Sequence, residues 1–385
     1  MPDDPKPKTL SEVLTGLKKR HGDGIVCTPS ESRISSLVPR LSTGVFMLDW
    51  ATGGGFPIGR FVMIKGDEGA GKSTIALRVI TAAQQTCRYC YATFDPEAKS
   101  FPHASDCEWE KHDDESTTMR VVYVDIEGTF LNSWAQTVGV DLGDMHLSQP
   151  EMAEQAIDII QELLVEGVVD LVVLDSVASM SNQAELSKSV EDTIVGKGAM
   201  LMNRAFREWG AAMNRSALVT GRKPMFIFIN QVREKPGVLW GSPETVPGGK
   251  HQLFAPSLIV RIRSKTPDMS KGTIPRPLRW NNAFTVEKSK VGPPKLKGEY
   301  QTAAVSFDGF IQGDVLDFDT VLKFAKETEV LVQDKKKWVY TPSGLVGLKK
   351  EYRVQGDAVE DWIKDKALYD KVKRIVLRRA LLALS

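Results

Sequence analysis

The 385-residue sequence has few cysteines and histidines, no excess of charge of either sign and no long apolar run. Four Cys residues in 385 are too few for a disulfide-stapled secreted protein. The 50 Lys and Arg residues balance 49 Asp and Glu residues, so the net charge of +1 excludes a uniformly basic, histone-like protein. No stretch approaches the roughly 18 apolar residues that cross a bilayer, and the N-terminus lacks the apolar core of a signal peptide. We therefore expect a soluble, cytoplasmic protein without a membrane partner.

The apolar residues that are present make up 42% of the chain, enough for a large core. Apolar stretches at 61–65, 120–125, 168–175 and 224–230 predict buried strands. Helical patterns lie between or beside them, at 73–85, 151–166 and 200–213. Strands that alternate with helices predict an α/β fold with a mostly parallel sheet.

Composition also predicts how the chain is divided. Residues 1–40 contain an amphipathic helical pattern, Leu10–His21, followed by a Gly-, Ser- and Pro-containing linker. Residues 41–312 form the predicted α/β core, which residues 87–119 interrupt with a Cys-, His- and charge-rich insertion, here called the inserted module. Residues 313–385 show helical patterns with short strands and predict a small α+β C-terminal domain.

One segment predicts nucleotide binding. Residues 66–73, GDEGAGKS, fit the pattern G-x-x-x-x-G-K-[S/T] between a strand and a helix, and are called the phosphate loop below. Its backbone N–H groups and the helix N-terminus would bind the phosphates of ATP. Lys72 would reach the β- and γ-phosphates, Ser73 would ligate Mg²⁺, and Asp175, at the end of an apolar strand, would hold the same ion through water. The predicted ATP contacts of this segment are Gly66, Asp67, Glu68, Gly69, Ala70, Gly71, Lys72, Ser73 and Thr74.

Hydrolysis of ATP also requires a group that positions the attacking water. Asp125 ends the predicted strand at 120–125, and Glu127 follows two residues later. Either carboxylate could supply this group. The residues alone do not choose between them.

The inserted module has the ligand spacing of a zinc site, Cys87-x2-Cys90-x12-His103-x3-Cys107. A bound Zn²⁺ would take the place of a hydrophobic core, because the module is too short to build one. The alternatives are a surface loop with reduced thiols, a Cys87/Cys90 redox pair, and a site in which His112 replaces His103. The role of the module stays open among extra DNA contact, partner docking and loop stabilisation.

Several separated segments resemble, in the same order, the RecA recombinase family of bacteria and phages. These segments are residues 41–60, the phosphate loop, 175–178, 229–249 and 286–290. Residues 229–249, INQVREKPGVLWGSPETVPGG, carry the most specific similarity. The resemblance covers roughly residues 10–370 and is interrupted at the inserted module. It implies a RecA-type P-loop ATPase core with an N-terminal oligomerisation helix and a small C-terminal domain.

The resemblance implies roles for residues whose chemistry is otherwise ambiguous. Glu127 matches the catalytic glutamate of the family, and Gln231 matches the residue that senses the γ-phosphate. Trp134 falls where the family places an aromatic ring that stacks on adenine. Lys288 and Lys290 match the paired lysines that reach the ATP of the neighbouring subunit. The predicted catalytic groups are Glu127, Gln231, Lys288, Lys290 and Lys72, and Trp134 is a predicted ATP contact.

The resemblance also implies two DNA-binding loops, at about 185–198 and 233–249, which hold phosphates with basic side chains and wedge apolar ones between bases. The predicted DNA contacts are Lys188, Lys197, Arg233, Lys235, Val238, Leu239 and Trp240. Contacts between subunits would use Leu14 and Leu17 of the N-terminal helix, and Phe254, which matches an aromatic residue that docks on the next protomer.

The function that the resemblance implies is ATP-dependent homologous recombination. The protein would form a homo-oligomeric helical filament on single-stranded DNA and exchange strands with duplex DNA, in a bacterial cell or a phage-infected host. Mediator or single-strand-binding proteins would be further partners. Two alternatives are a ring-forming helicase on the same core, which the N-terminal helix and the intact segment 229–249 disfavour, and a DNA-coating or mediator filament without strand exchange.

Overall fold

The computed structural model describes residues 8–21, 38–95, 99–105, 107, 117–186, 197–234, 244–271, 273–307, 310–334, 337–341, 362 and 365–383. The predictions that concern Cys27, His112, Lys188, Lys235, Val238, Leu239 and Trp240 lie outside these described residues.

The described strands are, in chain order, β1 (Arg40–Leu41), β2 (Phe56–Pro57), β3 (Phe61–Gly66), β4 (Val121–Asp125), β5 (His146–Ser148), β6 (Leu171–Asp175), β7 (Met225–Gln231), β8 (Arg233–Glu234), β9 (Glu244–Thr245), β10 (Leu258–Ser264), β11 (Asp268–Met269), β12 (Pro277–Ser289), β13 (Lys297–Ala303), β14 (Leu331–Asp334) and β15 (Lys337–Tyr340). The described helices are α1 (Leu10–His21), α2 (Phe46–Thr52), α3 (Lys72–Ala83), α4 (Asn132–Thr137), α5 (Ala153–Glu166), α6 (Val177–Leu186), α7 (Lys197–Thr220), α8 (His251–Phe254), α9 (Phe318–Glu327) and α10 (Lys366–Leu382).

Among the described residues, the largest sheet has nine strands in the order β11-β12-β10-β3-β7-β6-β4-β5, with β13 beside β12. The six strands from β10 to β5 run parallel, whereas β11, β12 and β13 add an antiparallel extension. The prediction of an α/β fold with a mostly parallel sheet is therefore confirmed. The sequence patterns did not predict the antiparallel extension.

Both faces of the sheet are covered by helices. Along β3, Val62 and Ile64 pack against α3 on one face, while Phe61 and Met63 pack against α5 and α7 on the other. Alternation with a period of two along a strand, with apolar residues on both faces, is what a fully covered parallel sheet requires. Trp209 of α7 is completely buried in the second of these layers. The two layers hold the carboxyl edge of the parallel strands rigidly.

Helix α7 is longer than the predicted 200–213, because it runs from Lys197 to Thr220. The stretch after Met213 contains no Gly or Pro, so nothing in it interrupts helical hydrogen bonding. Gly221, with φ of 72°, adopts the left-handed conformation that ends many helices. At the other end, α6 and α7 include parts of the predicted first DNA loop, 185–198, so that loop is shorter than predicted.

The described C-terminal elements pack on α2. Phe46 of α2 is buried against Val321 of α9 and Leu368 of α10 in a third apolar cluster. Lys373 of α10 donates to the carbonyl of Gly44 at 3.0 Å. Helices α9 and α10 begin at Phe318 and Lys366, and β15 pairs with β14 as an antiparallel hairpin. Among the described residues, no helix has the length and apolar content to cross a bilayer.

Candidate functional site

The phosphate loop connects β3 to α3 and is shaped by glycines. A Cβ at Gly66 would lie 2.1 Å from the carbonyl oxygen of Ile262, so no other residue fits there. Gly69 and Gly71 have φ of 68° and 83°, which residues with a side chain rarely adopt. Gly71 directly precedes the helix and offers no capping side chain. The backbone N–H groups at the start of α3 are therefore directed at an open turn, which is a geometry that binds anions.

Lys72 lies inside this turn. Its Nζ donates to the carbonyl oxygen of Asp67 at 2.6 Å, and its side chain is largely buried. Burial lowers the pKa of Lys72, while the carboxylates of Asp175 and Glu127 act in the opposite direction. The ammonium group is therefore held by a single backbone carbonyl of the loop, a partner that a phosphate oxygen can replace.

Ser73 and Asp175 lie together, although 102 residues separate them in the sequence. The Ser73 hydroxyl donates to Asp175 Oδ2 at 2.7 Å, and the Tyr123 hydroxyl donates to the same oxygen at 2.7 Å. Burial raises the pKa of Asp175, and the hydrogen bond from Ser73 lowers it. A hydroxyl and a carboxylate beside a phosphate-binding turn fit Mg²⁺, which takes few protein oxygens and keeps several waters.

The carboxylate of Asp125 is hydrogen-bonded to the backbone that follows β4. Its buried carboxylate accepts four hydrogen bonds at 2.9 to 3.2 Å. The donors are the backbone N–H groups of Gly128, Thr129 and Phe130 and the side-chain amide of Gln149. A carboxylate that accepts four such bonds has little capacity left for a water molecule. Asp125 therefore shapes the turn after β4.

Glu127 lies on that turn and is exposed. Its Oε1 accepts hydrogen bonds from the hydroxyls of Ser176 and Ser179, the latter at 2.6 Å. Asp125 and Asp175 are register partners at the ends of neighbouring strands. Because Glu127 follows the first strand and Ser176 directly follows Asp175, the carboxylates of Glu127 and Asp175 lie at these two strand ends. One oxygen of Glu127 is held by the serines while the side chain as a whole is exposed, which suits a group that orients water.

Trp134 of α4 lies beside the start of α3. Its indole Nε1 donates to the Thr74 hydroxyl at 3.2 Å, and the ring is half-buried. Gly313 lies beside the edge of the indole, where a Cβ would be 3.6 Å from the ring, an ordinary van der Waals distance. The structure thus places the residue predicted to stack on adenine next to the last predicted ATP contact of the phosphate loop.

Gln231 ends β7 directly opposite Gly66, the first residue of the phosphate loop. The preceding residue, Asn230, is completely buried and donates its amide to the carbonyl of Pro247 at 3.0 Å and to the side chain of Gln252. Gln252 in turn donates to the carbonyl of Gly249 at 2.9 Å. This network ties the end of β7 to the end of the predicted second DNA loop. Asn230 and Gln252 were not identified from the sequence, since an amide in a strand carries no local motif.

Lys288 and Lys290 lie beside Phe254. Lys288 Nζ donates to the carbonyl oxygens of Leu253 and Phe254 at 2.8 and 3.0 Å, and Lys290 Nζ donates to the latter oxygen at 3.2 Å. Burial and the neighbouring Lys290 lower the pKa of Lys288. The Phe254 side chain is 65% exposed. Two of the predicted trans-acting groups and the predicted docking residue therefore share one surface.

The remaining predicted contacts are placed as follows. Arg233 is exposed at the start of β8, which pairs with β9 and so brings the two ends of the second predicted DNA loop together. Lys197 begins α7. Leu14 and Leu17 are half-buried on α1, whose other apolar residues, Leu10 and Val13, are exposed. Helix α1 thus exposes apolar side chains at Leu10 and Val13.

The four predicted zinc ligands come together in the structure. One ligand atom from each of Cys87, Cys90, His103 and Cys107 lies within 4.8 Å of the others; this set is called the metal cluster. His103 Nδ1 is 3.4 Å from the sulfurs of Cys90 and Cys107, and the sulfurs of Cys87 and Cys107 are 3.9 Å apart. Zinc–sulfur bonds of about 2.3 Å in a tetrahedron require sulfurs at about this spacing. Burial opposes ionisation of Cys90, but hydrogen bonds, chiefly from Ala104 and His103, outweigh it and lower its pKa to about 6.

The metal cluster is anchored to the sheet through Arg88, which lies between its first two ligands. The completely buried Arg88 forms an ion pair with Asp170, Nε to Oδ2, at 3.0 Å. Arg222 also approaches Asp170 at 3.6 Å, and its guanidinium lies over the Tyr89 ring. Asp170 directly precedes β6, whereas Asp175 ends it. The metal cluster therefore lies at the amino edge of the sheet and the phosphate loop at the carboxyl edge.

A phosphate loop between β3 and α3, with a carboxylate at the end of β6, defines a P-loop nucleotide-binding protein of the α/β class. Comparison with protein families narrows this class. The RecA N-terminal domain matches residues 8–112 and 113–305. The chain belongs to the RecA family.

Individual relatives agree with this assignment. The protein RecA of Chlorobium limicola is 35% identical over 303 residues, 77% of this chain and 74% of the relative. The protein RecA of Clostridium novyi is 32% identical over 322 residues, 83% of this chain and 80% of the relative. The protein RecA of Aquifex aeolicus is 33% identical over 296 residues, 77% of this chain and 74% of the relative. The similarity therefore extends over most of both chains.

Proposed function

We propose that this chain is an ATP-dependent homologous recombinase, which assembles as a helical filament on single-stranded DNA and exchanges strands with duplex DNA. The observation that carries the proposal is the juxtaposition, within a RecA-family core, of Gln231 with Gly66. Strand β7 thus ends beside the phosphate loop and leads directly into the predicted second DNA loop. The cytoplasm of a bacterial cell or a phage-infected host is the expected location, with mediator or single-strand-binding proteins as further partners.

Residues at the carboxyl edge of the sheet would perform the ATPase reaction. Lys72 would exchange the carbonyl of Asp67 for the β- and γ-phosphates, and the N–H groups of the phosphate loop would bind the remaining oxygens. Ser73 and Asp175 would hold Mg²⁺, which when bound neutralises charge on the transferring phosphate. Glu127, oriented by Ser176 and Ser179, would align the water and accept its proton.

Lys288 and Lys290 would complete the ATP site of a neighbouring subunit. Both ammonium groups are held at the end of α8, next to the exposed ring of Phe254. A protomer that docks Phe254 on its neighbour would carry both lysines to the same interface. ATP would then stabilise the filament, because it contacts two subunits at once, and hydrolysis would remove that contact.

Electron microscopy with single-stranded DNA and a non-hydrolysable ATP analogue tests the proposal. We expect open helical filaments on extended DNA, and longer-lived filaments with ATP for Glu127→Gln than for Glu162→Gln, an exposed carboxylate on α5 that serves as the matched control. Closed rings would support the helicase alternative. Filaments that never yield joint molecules with homologous duplex DNA would support the coating or mediator alternative.

We also propose that the metal cluster holds one Zn²⁺ and that this ion stabilises the inserted module. The four ligand atoms have the composition and spacing of a closed structural site. Among the three roles that the sequence left open, loop stabilisation is favoured because Arg88 anchors the cluster to Asp170 at the amino edge of the sheet. The second predicted DNA loop follows β7 at the carboxyl edge, so contact of the module with the same DNA strand is disfavoured.

A further inference from the structure

Arg261 of β10 lies between two segments of the proposed function. Its side chain is 6% exposed, and its guanidinium contacts the carboxylate of Glu244 through Nη1. Through Nη2 it approaches Asp67 Oδ1 at 3.7 Å. Asp67 belongs to the phosphate loop, and Glu244 belongs to β9 at the end of the second predicted DNA loop. A single buried cation is thus shared between the ATP-binding and the DNA-binding segments.

The charges around Arg261 explain why it is shared. Arg261 is the register partner of Lys65 on β3, so two cations stand side by side on one face of the sheet. Lys65 is neutralised by Glu287 at 2.7 Å. Buried charge is costly unless it is paired, and the carboxylates of Asp67 and Glu244 both approach Arg261. The position of the Arg261 guanidinium therefore depends on both acids.

Each of the two acids belongs to a segment that would contact a ligand: Asp67 to the phosphate loop, where ATP would bind, and Glu244 to the base of the second predicted DNA loop. The carbonyl of Asp67 is the acceptor of Lys72 Nζ at 2.6 Å, the bond that a phosphate would replace. Glu244 lies on β9, which pairs with β8 in the register Arg233 to Thr245 and so joins the two ends of the second loop. Glu244 also has a second cation, Arg263, at 3.1 Å. It can therefore give up Arg261 without becoming an unpaired charge.

We propose that Arg261 is a positioning residue that couples ATP binding to the second DNA loop; this inference rests on the proposed function. A triphosphate adds negative charge beside Asp67, which draws the Arg261 guanidinium towards the phosphate loop. Glu244 then loses Arg261 and retains Arg263, and the β8–β9 pair takes up a different position at the base of the second loop. This contact acts alongside Gln231 and is made by side chains rather than by the backbone of β7.

The test measures how strongly nucleotide tightens DNA binding. The dissociation constant of a fluorescent single-stranded oligonucleotide is measured without nucleotide and with a saturating non-hydrolysable ATP analogue, and the ratio is the coupling factor. We expect Arg261→Gln to reduce this factor at least about 5-fold, the lower end of ordinary coupling between sites. As the control, Arg279→Gln removes an exposed guanidinium of β12 whose ion-pair partner is Asp268, and it should change the factor less than about 2-fold.

Asp67→Asn provides a second variant in case the buried Arg261 is required for folding. The Asp67 side chain is 57% exposed, so its substitution removes the contact without disturbing the core. It should lower the coupling factor as Arg261→Gln does, and the double variant should not lower it further. Strong coupling in the unaltered chain and in all variants would overturn the role of Arg261 while leaving the recombinase proposal intact. A coupling factor of one in the unaltered chain would instead contradict the proposed function.

Discussion

Asp170→Asn tests how the inserted module is attached to the core. The substitution keeps the size of the side chain and an oxygen that can accept the hydrogen bond from the Arg120 N–H, which is 2.9 Å long. It removes the negative charge that faces Arg88 at 3.0 Å and Arg222 at 3.6 Å. Asp158→Asn, an exposed carboxylate on α5, is the matched control.

The expected cost follows from burial. The side chains of Arg88 and Asp170 are 0% and 9% exposed, so the pair is almost completely removed from water. Removal of one partner from such a pair costs about 3–5 kcal/mol, because the other charge stays buried. The Asp170→Asn variant would keep the hydrogen bond from the Arg120 N–H, and Arg222 is partly exposed to water. The expected loss in the free energy of unfolding is therefore near the lower end of this range, about 3 kcal/mol.

Urea unfolding, followed by tryptophan fluorescence, measures this loss, and Asp158→Asn should lie within about 0.5 kcal/mol of the unaltered chain. A double-mutant cycle with Cys87→Ser adds a sharper criterion. Because Arg88 lies between two zinc ligands, the double variant should lose less than the sum of the single variants by at least about 1 kcal/mol. A loss below about 1 kcal/mol for Asp170→Asn, or strict additivity in the cycle, would refute the proposed anchoring.

Three further predictions address the metal, the chemistry and the DNA. Cys87→Ser should lower the zinc content from one ion per chain to none by elemental analysis, whereas Cys27→Ser should leave it at one; metal-free protein purified without chelators would contradict the zinc site. Glu127→Gln should lower ATP turnover roughly 10²- to 10⁴-fold with little change in ATP affinity, since it removes a proton acceptor and no phosphate contact; turnover within a factor of two of the unaltered chain would exclude Glu127 as that acceptor. Trp240→Ala should weaken single-stranded DNA binding by about 1–3 kcal/mol through lost stacking and leave nucleotide affinity unchanged; equal effects on both affinities would argue against a base-stacking role.

The parts of the fold that could be predicted are those encoded in neighbouring residues. The phosphate loop is defined by eight consecutive residues, and the strand before it by a short apolar run. The metal cluster was predicted from spacing because a tight turn supplies the first two ligands. The predicted fold class follows from the same local patterns, since they give both the strands and the order in which helices separate them.

The features that could not be predicted depend on residues far apart in the chain. Arg88 and Asp170 are 82 residues apart, and neither belongs to a motif. Arg261 looks like an ordinary polar residue of a strand until β10 is placed beside β3. The antiparallel extension escaped prediction because β12 combines polar and apolar residues without strict alternation over its 13 residues. The contacts of such residues can be recognised only when the order of the strands in the sheet is known.

The separation of the metal cluster from the phosphate loop has a consequence for how this core can be altered. The family match divides between residues 112 and 113, inside the inserted module, and continues on both sides of it. A parallel sheet concentrates its chemistry where the strands finish, so the connections at the opposite rim are free to lengthen without moving a reacting group. The turn between α3 and β4 is therefore a natural graft point, where a metal-binding, fluorescent or affinity module could be exchanged for the present one while ATP chemistry is kept.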